Sequence, residues 1–266
     1  MRLGGKTAVV IGAGQGPGEG MGNGRATVLR FAQESAKVMA VDRDLGSAEE
    51  TASMARQSGG QCVAFEADVT QESSLAAALA AAQQRWGRID ILHYNVGVSI
   101  AGGDASLLEL TEEAFDRISA INLRGAIMAC KHVIPIMRQQ RAGAITMISS
   151  LAALENYPLV AYKATKAALI AFTKQVAIQN AEFGIRANVI LPGLIDTPMA
   201  VDTRARASGR SRAEVAAERD ARVPLRRKMG TAWDVANAAL FLASDEANFI
   251  TGVALLVDGG GALNVG

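Results

Sequence analysis

Short runs of consecutive apolar, often β-branched residues alternate along this chain with longer amphipathic stretches. Thr7-Ala8-Val9-Val10-Ile11 is the first run, closed by Gly12. Others lie at residues 36–41, 61–65, 89–94, 144–148, 186–191 and 253–257. Apolar runs without alternation predict strands buried on both faces, as in parallel sheets covered by helices. The stretches between them look helical. Ser47-Ala48-Glu49-Glu50 has the capping-box pattern, and residues 76–84 are rich in alanine. Thr111-Glu112-Glu113 opens a further helix, with acids at its positive end. Gly184 stands where a helix C-cap glycine would, just after Ala181-Glu182-Phe183. Strand and helix therefore alternate from end to end. That predicts an α/β fold: a single-domain, Rossmann-type, doubly wound parallel sheet of about seven strands, with helices on both faces. The rhythm breaks only between Met199 and Met229, a polar, Arg-rich stretch.

Composition narrows the picture. The 266 residues suit one large domain, and half of them are hydrophobic. A net charge of +1 supplies no global field for nucleic acid or an anionic membrane. Cys62 and Cys130 are far apart, which argues against a disulfide framework. No apolar run approaches the ~20 residues that span a bilayer. Met1-Arg2-Leu3-Gly4-Gly5-Lys6 lacks the apolar stretch of a signal peptide. These features predict a soluble cytoplasmic protein with a small-molecule partner.

Candidate chemistry begins after the first strand, where Gly12, Gly14, Gly16, Gly18, Gly20, Gly22 and Gly24 crowd together. A glycine-rich turn before a helix lets backbone amides approach a pyrophosphate. Gly12-Gly16-Gly18 and Gly18-Gly22-Gly24 share the same spacing. The run from Arg25 to Ala32 is a good helix, whereas Pro17 and the glycines before it cannot sustain one. The helix should start near Gly24, with Gly22 and Gly24 closest to the phosphates and Gly12 ending the strand. Part of the stretch from Gly14 to Gly20 reads as a surface insertion. Asp42 ends the second strand, where a carboxylate accepts from ribose hydroxyls and repels a 2′-phosphate, favouring NAD. The neighbouring Arg43 is the complication, since an arginine there holds a 2′-phosphate in NADP sites.

Tyr162 and Lys166 are four apart and share one helical face. A nearby ammonium favours a phenolate over a phenol. Upstream, Ile148-Ser149-Ser150 closes a predicted strand, and strand C-termini line the ligand crevice of such sheets. Either serine could hold a substrate oxygen.

Taken together, these segments resemble the short-chain dehydrogenase/reductase family over essentially the whole chain. The matching pieces are Gly22-Asn23-Gly24-Arg25-Ala26, Asp68-Val69, Asn95-Val96-Gly97, Ile121-Asn122-Leu123, Ile148-Ser149-Ser150, Tyr162 with Lys166, Leu191-Pro192-Gly193, and Val257-Asp258-Gly259-Gly260. The resemblance implies Tyr162 as general acid/base and Lys166 as the residue that binds the nicotinamide ribose and lowers the tyrosine pKa. It implies Ser150 as the serine that orients the substrate oxygen, and Asn122 as the holder of a relay water. Asp68 and Val69 would meet the adenine, and Asn95 and Gly97 would stabilise the sheet beside the cofactor. Pro192, Gly193, Ile195 and Thr197 would lie near the nicotinamide carboxamide, and Asn23 in the glycine loop. A homotetramer is implied as well. Two departures stand out. The glycine loop carries about six extra residues relative to the usual fingerprint, and Tyr94 stands where the family has asparagine.

The expectation is an NAD-dependent oxidoreductase that interconverts a secondary alcohol and a ketone. The alternatives are an NAD(H)-binding regulatory protein on the same fold or an NADP-dependent ketoreductase of the 3-oxoacyl type. Epimerisation or dehydration at a nucleotide sugar is disfavoured, because little chain follows the last strand. The single domain spans residues 1–266, with a substrate lid at about 197–228. Between Thr203 and Lys228 there are nine basic and three acidic residues. That run reads first as a solvated helical face, and second as arginines (Arg204, Arg206, Arg210) that meet an anionic substrate. Val98, Leu151, Ala152, Leu154, Leu194 and Met199 are expected to face the pocket, hinting at a hydrophobic or alicyclic alcohol. His93 is expected to be a hydrogen-bonded core residue and His132 a partly exposed one. With only these two histidines, no metal site is expected. Trp86, Trp233 and Cys130 read as packing residues.

Overall fold

A computed structural model describes residues 1–263; the last three residues of the expected domain lie outside the described residues. In chain order the elements are β1 (Thr7–Ile11), α1 (Asn23–Gln33), β2 (Lys37–Asp42), α2 (Leu45–Gln57), β3 (Gln61–Glu66), α3 (Glu72–Trp86), β4 (Ile91–Tyr94), α4 (Glu112–Ser119), α5 (Gly125–Gln140), β5 (Gly143–Ile148), α6 (Val160–Asn180), β6 (Ile185–Pro192), β7 (Ile195–Asp196), α7 (Thr203–Ser208), α8 (Arg212–Arg222), β8 (Gly230–Thr231), α9 (Ala232–Ala243) and β9 (Ala254–Val257). Seven strands form one sheet in the order β3-β2-β1-β4-β5-β6-β9. Every pairing in it is parallel.

Burial explains the unbroken apolar runs. Along β1, Val9 and Ile11 join a core with Leu75 and Leu79 of α3, Val133 and Met137 of α5, and Leu169 of α6. The intervening Ala8 and Val10 join a second core with Val28 and Phe31 of α1, Ala52 of α2, and Val235 and Leu240 of α9. Both faces are covered, so both sets of alternating positions in β1 are apolar apart from Thr7 at its start. The chain order reverses between β1 and β4, which opens the crevice where doubly wound sheets take ligands.

Several local expectations shift. Helix α2 begins at Leu45 rather than Ser47, because the Asp44 side chain accepts from Ser47 N at 3.0 Å and caps the helix. The two reciprocal capping boxes fall elsewhere, at Ser211 with Glu214 and at Thr231 with Asp234. Thr111 does cap α4, and Gly184 ends its helical turn at a φ of 70°. His93 is fully buried, but it is not hydrogen-bonded: neither ring nitrogen has a partner among the described residues. It packs edge-on against Phe31, with centroids 6.1 Å apart, and burial pushes its pKa down to about 3. His132 is half-buried beside Glu72 at 3.0 Å. Trp86 and Trp233 pack against the two cores. Cys130 is buried, which pushes its thiol up to about 12. No helix among the described residues is long and apolar enough to cross a membrane.

The Arg-rich stretch is ordered. It follows Pro198–Asp202, a wide helical turn, and builds α7 and α8 around a small core of its own: Val201, Ala205, Val215, Val223 and Met229. The short β7–β8 pair ties its two ends together.

Candidate active site

The expected site residues gather along the C-terminal edge of the sheet, where β1, β2, β3, β4, β5 and β6 all end. Gly12 leaves β1 at a φ of +83°, and an added Cβ would lie 2.9 Å from Val96 Cγ2. At Gly24 a Cβ would run into the Gly12 carbonyl and lie 2.7 Å from Asn95 Nδ2. These two glycines therefore press the start of α1 against β1. Helix α1 begins at Asn23, one residue before the expected start, with Gly22 as its N-cap. Over Gly22 only the flexible Gln15 side chain stands, its nearest atom 3.4 Å from where a Cβ would lie. Gln15 Oε1 accepts from Gly22 N at 2.7 Å.

The inserted part of the loop folds back over the turn that precedes the Arg-rich segment. Glu19 N donates to Asp202 Oδ1 at 3.2 Å, and an added Cβ at Gly18 would lie 2.7 Å from the same carboxylate. Arg212 joins Asp202 at 3.3 Å and Asp196 at 2.5 Å. The insertion is thus a clasp between the glycine loop and the Arg-rich segment, a role that its sequence does not suggest.

Asp42 ends β2 and accepts from Gly14 N at 2.8 Å and Asp44 N at 3.2 Å. Arg43 beside it is exposed. Asp68, past β3, accepts from Thr70 N and Thr70 Oγ1, both at 2.8 Å, and Val69 is buried. Asn95 Nδ2 donates to Gly12 O at 3.0 Å, stitching β4 to the glycine turn. Gly97 leaves room for Lys166, whose Nζ would lie 3.0 Å from a Cβ there. Pro192 closes β6, Gly193 N donates to Val257 O at 3.0 Å, and Ile195 is buried in β7. Thr197 caps the Pro198–Asp202 turn.

Ser149 and Ser150 part ways. Ser149 is buried, and its Oγ donates to Lys166 O at 2.7 Å, so it fastens α6 to the sheet. Ser150 is half-buried and stands beside Tyr162. Lys166 is buried, donates from Nζ to Ile148 O at 2.8 Å and Val96 O at 3.2 Å, and lies 5.6 Å from the Tyr162 ring centroid. Burial lowers its pKa to about 7. Burial raises Tyr162 to about 12, with the Ser150 side chain acting in the opposite direction. The depression expected from Lys166 is not found: desolvation dominates, and the groups that oppose it are Ser150 and Arg204.

Asn122 sits in a π-helical turn, Ala120–Arg124, between α4 and α5. Its side chain accepts from Val98 N at 2.8 Å and donates to Val98 O at 2.9 Å and Thr165 Oγ1 at 3.1 Å. Such bulges free backbone carbonyls at functional sites. Tyr94, the departure from the family pattern, donates its hydroxyl to a carbonyl of this turn, Ile121 O, at 2.7 Å. Of the residues expected to line an apolar pocket, Leu151 and Ala152 are buried, whereas Leu154 and Met199 are largely exposed.

Two contributors escape a reading by motif. Asp104 accepts from Ala161 N at 2.9 Å and Tyr162 N at 3.0 Å, capping α6 from a distant loop. The Tyr157 ring lies tilted at 45° beside that of Tyr162, with centroids 5.8 Å apart, and its hydroxyl accepts from Arg204 at 3.3 Å.

Known proteins resemble this chain over nearly its whole length. The profile of the family described as Enoyl-(Acyl carrier protein) reductase (adh_short_C2) matches residues 18–262. The 2-(R)-hydroxypropyl-CoM dehydrogenase of Xanthobacter autotrophicus is 37% identical over 257 residues, covering 96% of this chain and 97% of that protein. The 3-oxoacyl-[acyl-carrier-protein] reductase FabG of Thermotoga maritima is 35% identical, covering 98% and 99%. A Burkholderia xenovorans crystal structure described as a short-chain dehydrogenase/reductase superposes with a TM-score of 0.91 at 42% identity, over 99% of this chain and 98% of that one. Levodione reductase does so with a TM-score of 0.92 at 28% identity, over 99% and 100%. The chain belongs to the short-chain dehydrogenase/reductase family of oxidoreductases.

Proposed function

We propose that this protein is an NAD-dependent dehydrogenase that interconverts a secondary alcohol and a ketone, with Tyr162 as its general acid/base. The observation that carries this reading is the convergence of Ser150, Tyr162 and Lys166 at one edge of the sheet. Lys166 is buried 5.6 Å from the tyrosine ring, and the Ser150 side chain bears on the phenol. Dehydrogenase and reductase relatives over nearly the full chain agree with it.

The residues present fit a nicotinamide dinucleotide. Gly22 offers a helix N-terminus whose approach is covered only by a movable side chain, which suits a pyrophosphate. Asp42, at the end of β2, would accept from ribose hydroxyls, and its charge would repel a 2′-phosphate. The bound nicotinamide would supply or accept the hydride.

The protein's part is position and charge. In the oxidative direction Tyr162 takes the proton of the alcohol hydroxyl. Ser150 donates to the same oxygen as negative charge grows on it, a preorganised donor of the kind that stabilises a transition state. Lys166 would hold the ribose hydroxyls of the bound cofactor, and its ammonium would favour the phenolate against the desolvation that raises Tyr162. The proton then leaves through Lys166 toward the Asn122 turn. The homotetramer that the family suggests is part of the same proposal.

The test is a spectrophotometric screen of the purified protein, pairing NAD⁺ and NADP⁺ with aliphatic, alicyclic, aromatic and acidic secondary alcohols. Turnover with NAD⁺ well above NADP⁺, abolished in Tyr162→Phe, is the expected result. Near-normal turnover in that variant, or no turnover of any alcohol or ketone despite NADH binding, would overturn the reading.

A further inference from the structure

The lid's charges do not cancel where they are buried. Its four carboxylates are all engaged: Asp202 by Arg212 at 3.3 Å, Glu214 by Ser211, Glu218 by Arg210 at 2.7 Å, and Asp220 by Lys228 at 2.5 Å. Asp196, just before it, is held by Arg212 as well. Arg219 has no such partner. It is 7% exposed, it faces inward one turn after Val215 on α8, and its buried Nε has no hydrogen-bond partner among the described residues. No carboxylate lies within ion-pair distance of it among the described residues.

Arg219 lines a cavity of about 350 Å³ together with Arg204, Arg210, Arg222, Val215 and Ile100. Glu218 also lines it, already paired with Arg210. Burial and then the neighbouring Arg204 and Arg222 push the Arg219 pKa down to about 10. Burying a guanidinium among other cations is costly unless something compensates it. The cavity adjoins the reacting end of the site: Arg204 donates to the Tyr157 hydroxyl, and the Tyr157 ring stands 5.8 Å from that of Tyr162.

We propose that the Arg204–Arg219–Arg222 cavity is a subsite for a terminal oxyanion on the substrate, so that the enzyme acts on secondary alcohols and ketones carrying a carboxylate, sulfonate or phosphate remote from the reacting carbon. The inference rests on the dehydrogenase reading for its reaction and on Arg219 for its charge. The cavity lies at the small end of the ~300–1,000 Å³ of ligand pockets, which suits a short oxo acid rather than a long acyl chain.

The experiment compares 5-oxohexanoate, its shorter and longer homologues, the matching sulfonates and phosphates, and the neutral amides of the acids. Each is reduced with NADH by the wild type and by Arg219→Met. A preference of at least about tenfold in kcat/KM for the best anion over its neutral isostere is expected in the wild type. Arg219→Met should lose that preference while its activity on the amide is little changed. Equal rates on acid and amide in the wild type, or an undiminished preference in the variant, overturn the subsite. The melting temperature separates the remaining cases. Removing an uncompensated buried cation should leave the variant at least as stable as the wild type, whereas a fall would mark Arg219 as structural and overturn the subsite. If no ketone is reduced, the anions must still raise the melting temperature of NADH-saturated wild type and not that of Arg219→Met. A rise would sink the dehydrogenase reading alone, and no rise would sink the subsite too.

Discussion

Asp104 holds the backbone of Tyr162 although 58 residues separate them: its Oδ2 accepts from Tyr162 N at 3.0 Å, and its Oδ1 accepts from Ala161 N. The chain's own residue at the N-cap of α6, Leu159, has no side-chain acceptor to offer. A buried carboxylate at a helix N-terminus satisfies orphan donors and faces the positive end of the dipole. Asp104→Ala should cost about 1–2 kcal/mol of stability. It should also lower kcat more than it raises KM, because the tyrosine loses its anchor. Urea unfolding and steady-state kinetics on one preparation test both, and an unchanged kcat would count against the positioning role.

The two glycines at the start of α1 should fail differently. Gly24→Ala drives a methyl into the Gly12 carbonyl and the Asn95 side chain, so helix and strand must separate. A loss of about 1–3 kcal/mol or more is expected, as for other overpacked sites. Gly22→Ala meets only the movable Gln15, so the fold should hold while NADH binding weakens. Thermal unfolding alongside fluorescence titration with NADH distinguishes them. Equal effects on stability would contradict this division.

Asp42 has two tasks that can be separated. Its carboxylate accepts from Gly14 N at 2.8 Å and carries the charge expected to exclude a 2′-phosphate. Asp42→Asn keeps an acceptor for the loop but removes the charge, so the ratio of kcat/KM for NAD⁺ over NADP⁺ should fall by about tenfold or more. Asp42→Ala should do the same and also raise KM for both cofactors. A preserved ratio in Asp42→Asn would show that selectivity comes from elsewhere.

His93 should make the protein acid-sensitive. Its folded pKa is held down to about 3 by burial, against about 6.5 in an unfolded chain. Below that unfolded value the unfolded state takes up a proton that the folded state refuses. Stability should therefore be full above about pH 6.5 and decline by up to ~1.4 kcal/mol per pH unit as the pH falls toward 3. Urea midpoints at pH 7 and pH 5 measure it. His93→Leu should flatten the slope over that interval, and a slope identical to wild type would assign it to other groups.

Much of this molecule is legible in one dimension because its strands are buried on both faces. Runs such as Thr7–Ile11 need no partner to be recognised as sheet core, and a glycine cluster after the first of them marks the helix start to within one residue. Tyr162 and Lys166 are visible for a similar reason: helical spacing alone puts residues four apart on one face. Capping is harder to read. Ser47 has the pattern of a cap, but Asp44 takes the amide at that end of α2, and the hydroxyl of Ser47 accepts from Gln15 N instead.

What only the tertiary structure decided depends on groups that meet across long sequence distances. Ser149 differs from Ser150 because the end of β5 points one hydroxyl at the α6 backbone and leaves the other beside the tyrosine. The inserted glycines matter because they reach Asp202, 183 residues away from Glu19. The Arg-rich run reads as a solvated face until α8 packs, when Arg219 is buried with its neighbours' charges and no carboxylate within reach. Periodicity is a local property that sequence carries directly. Charge compensation, capping across loops and the choice between two adjacent serines are sums over neighbours in space, and those neighbours exist only once the chain has folded.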